Sequence, residues 1–449
     1  MGYLMKTQAV LFVDVDETEQ TRYFYREPHF IAARKLGYHC LIAARKNRSY
    51  TERLYADSDA VFLIDAIDEN SIIALMDKLS HDYDVRILFC YSGQATRHGQ
   101  TGVIVANACQ KLGLIYSSPD GIDACNNKFI MRKRLAAHGV NSVRYGLCHN
   151  EEQLLTKANE IGFPLIAKPP FGAGSAFIKK CSTEKELLQH YATYQQNYSL
   201  SFSADFFGGD IQDPDCLNIP GHTILLESWI EGVEGTVECV VKGNAVYPLI
   251  INEKLILTEG ANTVLENLLI TPPVSFTSSE QAIIREYAVS CLRAVGLTNA
   301  IAHLEFRMSA DGPVLIEINP RLGGLYVSSA FRDTAGICPW TLYLDILSGQ
   351  TGVVQRLEGA ALQAINCSQY YSMMAFYPDK KGIFKGFSDL SIIHNNPDVS
   401  EHGMFPPGSL VNPDLEEFYL LKCWVRVESA EAARSLYEEI AEHVIPVIE

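Results

Sequence analysis

The sequence lacks what a membrane or a nucleic acid would demand of it. Its 449 residues carry 37 Lys and Arg against 53 Asp and Glu, a net charge of −16. Basic surface for a phosphate backbone or an anionic bilayer is therefore missing, although a local basic pocket for phosphates is not excluded. No apolar run reaches the roughly 18 residues needed to span a bilayer. The N-terminus offers Lys6 and then the short AVLFV run, too brief for a signal peptide. Twelve cysteines are present, yet no two approach a Cys-x-x-Cys spacing; the nearest pair is Cys109 and Cys125. A zinc site or dithiol redox motif of the usual spacing is thereby excluded, and the expectation is reduced core thiols in a cytoplasmic protein. A Gly-x-Gly-x-x-Gly turn is missing too: DVDETEQ follows the first strand instead, which argues against a dinucleotide site.

What is present reads as a long α/β chain. With 47% hydrophobic residues over this length, two to four domains can each bury a core. Up to residue 115, AVLFVDV, CLIAA, AVFLID and RILFCYS read as buried parallel strands. PHFIAARKLG, NSIIALMDKLS and GVIVANACQKLG read as the helices between them, giving a doubly wound unit. SSPDGIDACNNK reads as a break before the basic helix FIMRKRLAAHG. Residues 116–340 form the next domain; within it a block beginning at about 150 and reaching about 235 holds a helix, PLIAK, a Gly-rich turn and another helix, and leads into the strands TILLESWI and GTVECVVKG. Residues 198–221 read as a long mobile loop. SSEQAIIREYAVSCLRAVG is a helix, and residues 341–449 form a C-terminal α/β segment in which LLKCWVRVE is the clearest strand.

HLEFRMSADGPVLIEINPRLGG, residues 303–324, poses a question of charge. It reads as two alternating strands, His303 to Ser309 and Pro313 to Asn319, joined by a three-residue loop with Gly312 last. That register sets Glu305 opposite Glu317 and His303 opposite Asn319, and lines up Leu304, Phe306, Ile316 and Ile318 as one apolar face. Like charges directly opposed across a strand pair repel. A two-residue Asp-Gly turn would shift the register by one and separate them. In the preferred register the polar face presents Glu305, Glu317 and Asn319, oxygen donors of the kind hard divalent cations take together with phosphate oxygens. The plainer reading is a solvated sheet face.

Three further features have the same double reading. KPPFGAGSAF places Lys168 at a strand end and Gly172 and Gly174 in the following turn, where backbone N–H groups can approach phosphate oxygens. It is not a Gly-Lys-Ser/Thr loop, because the lysine comes first, and a plain tight turn is the alternative. Lys128 opens the basic helix, where a solvated lysine is the default. LLESWIEGVEG carries Glu227, Glu231 and Glu234 at a strand end, either a solvated edge or acceptors for ribose hydroxyls.

Taken in order, the lysine before a helix, the lysine before a Gly-rich loop, the Glu-rich segment and the final Glu-x-Asn-Pro-Arg element resemble the ATP-grasp superfamily over roughly residues 116–330. The resemblance implies an ATP-grasp fold behind an N-terminal doubly wound α/β domain, with a mobile lid at about 150–230. It implies ATP held by Lys128, Lys168, Gly172, Gly174 and Ser175, with Glu227, Ser228, Trp229 and Ile230 lining the adenine pocket and Glu234 on the ribose. Magnesium, with manganese as a substitute, would sit on Glu305, Glu317 and Asn319, and these ions would explain why two opposed carboxylates are tolerated. Arg321 would be catalytic, meeting the transferred phosphate, and Glu266, Arg321 and Gly324 would contact substrate.

Within the superfamily the size and C-terminal extension most resemble the L-amino-acid ligases that make dipeptides, often in peptide-antibiotic pathways such as dapdiamide or bacilysin assembly. Those often carry a histidine three residues after the glutamate matching Glu266; here Leu269 stands there, which changes the wall against the substrate. The implied activity is ATP-dependent joining of a carboxylate to an amine through an acyl phosphate. The substrates would be small amino or carboxylic acids, with neither nucleic acid nor membrane as partner and a homodimer compatible. An ATP-dependent carboxylase-like enzyme using bicarbonate, and a non-catalytic ATP-binding regulatory module, are the alternatives.

Overall fold

The computed structural model describes residues 6–13, 28–46, 58–90, 101–172, 175–201, 204–209, 217–259, 263–413 and 417–449. Gly174, the DVDETEQ segment and parts of the 198–221 stretch lie outside the described residues.

The chain opens with β1 (Thr7–Val13), α1 (Pro28–Lys35), β2 (His39–Arg45), β3 (Ala60–Ile64), α2 (Glu69–Leu79), β4 (Tyr83–Cys90) and α3 (Thr101–Leu112). The four strands form a parallel sheet in the order β3-β2-β1-β4. Ala9 to Val13 are all buried, as a strand covered by helices on both faces requires, so an unbroken apolar run replaces alternation. The expected break at 117–128 is instead a helix, α4 (Pro119–Asn126). Proline at the first helical position costs no hydrogen bond and its φ suits the helix, so the punctuation that looked like a break is a helix start. Ser118 does not cap it; its hydroxyl donates to the Gly296 carbonyl at 2.6 Å.

Next come α5 (Lys128–Ala137), β5 (Tyr145–Cys148), α6 (Glu151–Ile161), β6 (Leu165–Lys168), β7 (Lys179–Cys181), α7 (Glu184–Asn197) and β8 (Ile224–Ser228). The last four strands form a small antiparallel sheet ordered β5-β8-β6-β7. Its own core includes Leu154, Ile161, Leu187, Tyr191 and Phe207. β9 (Val233–Lys242), β10 (Ala245–Glu259), β11 (Val264–Thr271), α8 (Ser278–Val295), β12 (Ala300–Ser309) and β13 (Gly312–Asn319) follow. A Thr277–Glu280 capping box opens α8 and Gly296, at φ 74°, closes it.

The chain continues through α9 (Val327–Ala335), α10 (Pro339–Leu347), α11 (Val353–Ile365), β14 (Tyr370–Phe376), β15 (Gly382–Phe387), α12 (Ser391–His394), β16 (Val399–Met404), β17 (Leu410–Val411), β18 (Leu421–Val427), α13 (Ala430–His443) and β19 (Pro446–Ile448). One antiparallel sheet of eight strands, β13-β12-β9-β10-β11-β14-β18-β16, runs from the hairpin into the C-terminal segment. Among the described residues, no helix is long and apolar enough to cross a membrane.

The hairpin reaches the expected pairing by a different route. Ser309 pairs with Gly312 and Phe306 with Leu315, so the turn holds only Ala310 and Asp311. The Ser309 hydroxyl donates to the Gly312 carbonyl and accepts from Asp311 N–H, which tightens that turn. A bulge at Ile316 then shifts the register by one, and beyond it Glu305 faces Glu317 and His303 faces Asn319. The apolar face is corrected accordingly: Leu315, fully buried, joins Leu304, Phe306 and Ile318, while Ile316 is only half-buried and turns to the cleft.

Arg132 on α5 holds that bulge. Its guanidinium is fully buried and donates to the carbonyls of Leu315 (2.8 Å) and Ile316 (2.7 Å) on the sheet's edge strand. The same group forms a two-pronged ion pair with Glu227 of β8, Nε–Oε1 2.7 Å and Nη2–Oε2 3.0 Å. Helix, small sheet and hairpin therefore meet on one side chain. Replacing Arg132 with methionine leaves Glu227 with Lys168 alone and strands two edge carbonyls, and should lower unfolding free energy by about 3–5 kcal/mol. Urea unfolding monitored by circular dichroism would measure it; a loss under about 1 kcal/mol would contradict this role.

Candidate active site

Strand alternation puts a polar stripe across the large sheet. Glu234, Thr236 and Glu238 share one face of β9; His303, Glu305 and Arg307 share one face of β12; Asn252 and Lys254 share one face of β10. Pairing lays them side by side: Glu305 opposite Thr236, His303 opposite Glu238, and Asn252 opposite Thr236. The opposite face of β9 and β12 supplies Val237, Cys239, Leu304 and Phe306 to the core.

Lys254 is the centre of the stripe. Its side chain is 1% exposed, and its ammonium lies 2.7 Å from Glu234 Oε1 and 2.9 Å from Glu305 Oε2. It also donates to Glu266 Oε1. Burial by itself would favour the neutral amine, but the three carboxylates outweigh it and hold the ammonium well above the usual lysine range. Oxygens of Glu234, Glu266 and Glu305 lie within 4.8 Å of one another, a spacing that suits a bound cation; here the lysine ammonium fills that role. Glu234 gives its other oxygen to Arg307 Nε at 2.8 Å. His303 Nδ1 lies 2.5 Å from Glu238 Oε1. Burial would lower its affinity for the proton, but Glu238 and then Glu305 raise it to about 10.

The other end of the cleft is cationic. Lys128, at the first position of α5, lies 3.3 Å from Glu317 Oε2 and 3.5 Å from the Gly172 carbonyl. Asn127 caps that helix by accepting from Phe129 and Ile130 N–H. Lys168, at the end of β6, is buried and sits 2.8 Å from Glu227 Oε2. Burial, only partly offset by Glu227, lowers its pKa. For Glu227 the balance is reversed: burial would raise its carboxyl, yet Arg132 and Lys168 hold it at about 2. A Cβ at Gly172, where φ is 154°, would stand 3.2 Å from the Phe207 ring, a tight contact to which that ring would have to give way. Trp229 is flanked by Arg307 and Lys180, each 4.0 Å from the ring centroid.

One cleft gathers Lys128, Lys168, Gly172, Ser175, Glu227, Ser228, Trp229, Ile230, Glu234, Glu266, Glu305 and Glu317. Its walls add the apolar side chains of Ile166, Phe171, Ile178 and Ile316. Asn319 reaches it indirectly, donating to Glu317 Oε1 at 2.8 Å. Arg321 and Gly324 do not line it; Arg321 Nη1 donates to the Leu322 carbonyl at 3.0 Å. Glu227 and Glu234, expected at adenine and ribose, both have their carboxylates engaged by cations. Glu317 pairs with Lys128, and Glu305 pairs with Lys254 and, through Oε1 at 3.6 Å, with His303 Nε2; together with Asn319 these oxygens are of the kind a hard divalent cation takes alongside phosphate oxygens.

The sequence reading missed Lys254, Arg132, Arg307 and His303. The signal for Lys254 was available: it interrupts the apolar strand LIINEKLIL, and a lysine there needs carboxylate partners.

Residues 161–329 match the ATP-grasp domain family. The chain thus carries an ATP-grasp domain, and its mixed α/β architecture is the ATP-grasp fold. Among curated relatives, an uncharacterized protein, y4rH, of Sinorhizobium fredii (strain NBRC 101917 / NGR234) is 27% identical over 65% of this chain and 55% of its own length. Human carnosine synthase 1 is 23% identical over 52% of this chain and 28% of its own. The chain therefore spans about half or less of the curated relatives it matches. The crystal structure of an L-amino acid ligase from Bacillus licheniformis superposes with TM-score 0.76 over 99% of both chains, at 17% identity; a likeness at that identity concerns the fold.

Because the folded Glu227 carboxyl titrates near 2 and an unfolded one near 4.5, unfolding between those values takes up a proton. The stability it supplies is complete above the upper value and is lost as pH falls towards the lower one. Glu227→Gln should therefore flatten the acid limb of a stability–pH curve between these limits. An unchanged limb, followed by urea unfolding at stepped pH, would contradict the assigned ion pairs.

Proposed function

We propose that the protein is an ATP-dependent carboxylate–amine ligase that joins amino-acid-like substrates through an acyl phosphate, releasing ADP and phosphate. The observation that carries this reading is the opposed pair Glu305 and Glu317 in a cleft whose other end holds Lys128 and Lys168. Such an arrangement has anionic and cationic halves on either side of the space a triphosphate would fill, as phosphoryl transfer requires positioning and charge neutralisation above all. The ATP-grasp domain match, the carnosine synthase relative and the L-amino acid ligase fold likeness support the same class.

In this reading Trp229, Ile230 and Ile178, which line the cleft, hold the adenine, and Lys128 and Lys168 meet the phosphates. Lys168 would exchange its contact with Glu227 for a phosphate oxygen, leaving Arg132 to keep Glu227 charged. Glu305, Glu317 and Asn319 would hold magnesium, which supplies charge neutralisation at the terminal phosphates. A substrate carboxylate oxygen attacks the γ-phosphorus and ADP leaves. A neutral amine then attacks the acyl carbon, phosphate leaves, and the amine's surplus proton passes to solvent or a nearby base. Arg321 is assigned to the transferred phosphate, which requires its side chain to turn from Leu322 towards the cleft. The sheet β5-β8-β6-β7 would act as a lid that keeps water from the acyl phosphate.

Product analysis decides the class. With ATP, magnesium and amino acids singly and in pairs, phosphate should be released as ADP forms, and hydroxylamine should trap a hydroxamate of the activated acid. AMP as the product, stimulation by bicarbonate alone, or nucleotide binding without turnover would each overturn the ligase reading. Glu317→Gln should keep the fold and reduce turnover at least about a hundredfold, as loss of a charge-stabilising group does. Wild-type kcat at saturating magnesium would remove Glu317 from the metal set.

A further inference from the structure

The polar face of the large sheet is laid out in rows. Strand pairing sets Thr236, Glu305 and Glu317 side by side in one row, and Glu238, His303 and Asn319 in the next. Glu305, Glu317 and Asn319 are the residues assigned to magnesium, so His303 stands two positions from one of them in its own strand and opposite another across the hairpin. None of the steps above uses it. Its side chain is mostly buried, and three contacts fix the imidazole. Nδ1 lies 2.5 Å from Oε1 of Glu238, a carboxylate shut off from solvent. Nε2 lies 3.6 Å from Glu305 Oε1. Gly323 stands against the ring: a Cβ there would lie 2.6 Å from Nδ1, 3.1 Å from Cε1 and 2.8 Å from Val327 Cγ2. The φ of Gly323 lies outside the left-handed region, so space alone, taken by the imidazole and Val327, excludes a side chain.

The two carboxylates assigned to the metal differ in what holds them. Glu317 bonds Lys128 and Asn319, and Lys128 is assigned to the phosphates, so Glu317 changes partner when nucleotide binds. Glu305 has Lys254 on Oε2 at 2.9 Å and His303 on Oε1, and neither of these is assigned to nucleotide. Groups that hold a metal ligand from behind fix its orientation, and so set the affinity of the ion without touching it. We propose that His303, anchored on Glu238, is a positioning residue: it holds the Glu305 carboxylate where a metal ion meets the phosphates. The same ring braces the loop 321–324, so the metal and the substrate contacts of that loop keep one spacing. The inference rests on the ligase reading only in taking ion and substrate to serve one reaction.

Mn²⁺ titrated into the full chain saturated with a non-hydrolysable ATP analogue, its free-ion EPR signal read against a protein-free control, tests this without turnover. His303→Asn keeps a polar group for Glu238 but gives up Nε2, and should weaken Mn²⁺ by about ten- to a hundredfold. Affinity for the analogue without metal should be unchanged. His303→Gln, whose amide nitrogen can reach the Nε2 position, should recover most of the loss, which a merely structural role for the ring would not allow. Glu238→Gln keeps the shape but loosens the anchor; it should give a smaller loss in the same direction and serves if His303→Asn fails to fold. Wild-type Mn²⁺ affinity in these variants, no recovery by glutamine, equal losses for Mn²⁺ and nucleotide, or no Mn²⁺ bound by the wild type beyond the control would overturn the proposal. His303-dependent Mn²⁺ binding in a protein that never forms ADP would sink the ligase reading and leave this role standing. Amide formation by variants with unchanged Mn²⁺ affinity would do the reverse.

Discussion

A single buried ammonium, that of Lys254, makes the carboxylate face of the large sheet possible. Glu234, Glu266 and Glu305 come from three different strands, and their oxygens converge within 4.8 Å. Near a protein surface two unit charges about 4 Å apart interact by about 4 kcal/mol, so three unshielded carboxylates at this spacing would drive one another to the protonated state. Lys254 bonds all three at once. Its own desolvation is offset because each partner is equally in need of a cation. Against burial, Lys254 and then His303 hold the Glu305 carboxyl well below its ordinary range, whereas burial keeps that of Glu266 raised.

The second constraint is mechanical. Arg132 ties helix α5, the small sheet through Glu227, and the edge of the hairpin through the carbonyls of Leu315 and Ile316. Those carbonyls flank the bulge that restores Glu305 opposite Glu317. The position of a proposed metal ligand and the attachment of a proposed lid thus depend on one guanidinium, which a lysine could not replace because its single ammonium lacks the planar fork.

The sequence made much of this legible where pattern and chemistry agree. Buried parallel strands announced themselves as apolar runs, and the Glu305–Glu317 pairing followed from alternation and a Gly-containing turn. The route to that pairing did not: a two-residue turn and a compensating bulge give the same partners as a three-residue turn, and alternation cannot distinguish the two paths. Ile316 was assigned to the wrong face for that reason. Pro119 was read as a stop although it stands where a helix can begin. Arg132 was invisible as a site residue because its partners lie far along the chain; Lys254 stood out as a lysine within an apolar strand, but only the tertiary fold reveals which acids surround it.

The central claim, that this cleft moves the γ-phosphoryl group of ATP onto a substrate carboxylate, is open to direct isotopic tracing. The acid that supports phosphate release would be labelled with ¹⁸O in its carboxylate, and the released phosphate examined by ³¹P NMR. Attack by that carboxylate on the γ-phosphorus leaves one ¹⁸O in the phosphate, so an isotope-shifted phosphate resonance should appear in step with amide formation. Amide formation with unlabelled phosphate, or with the label in AMP, would contradict the account.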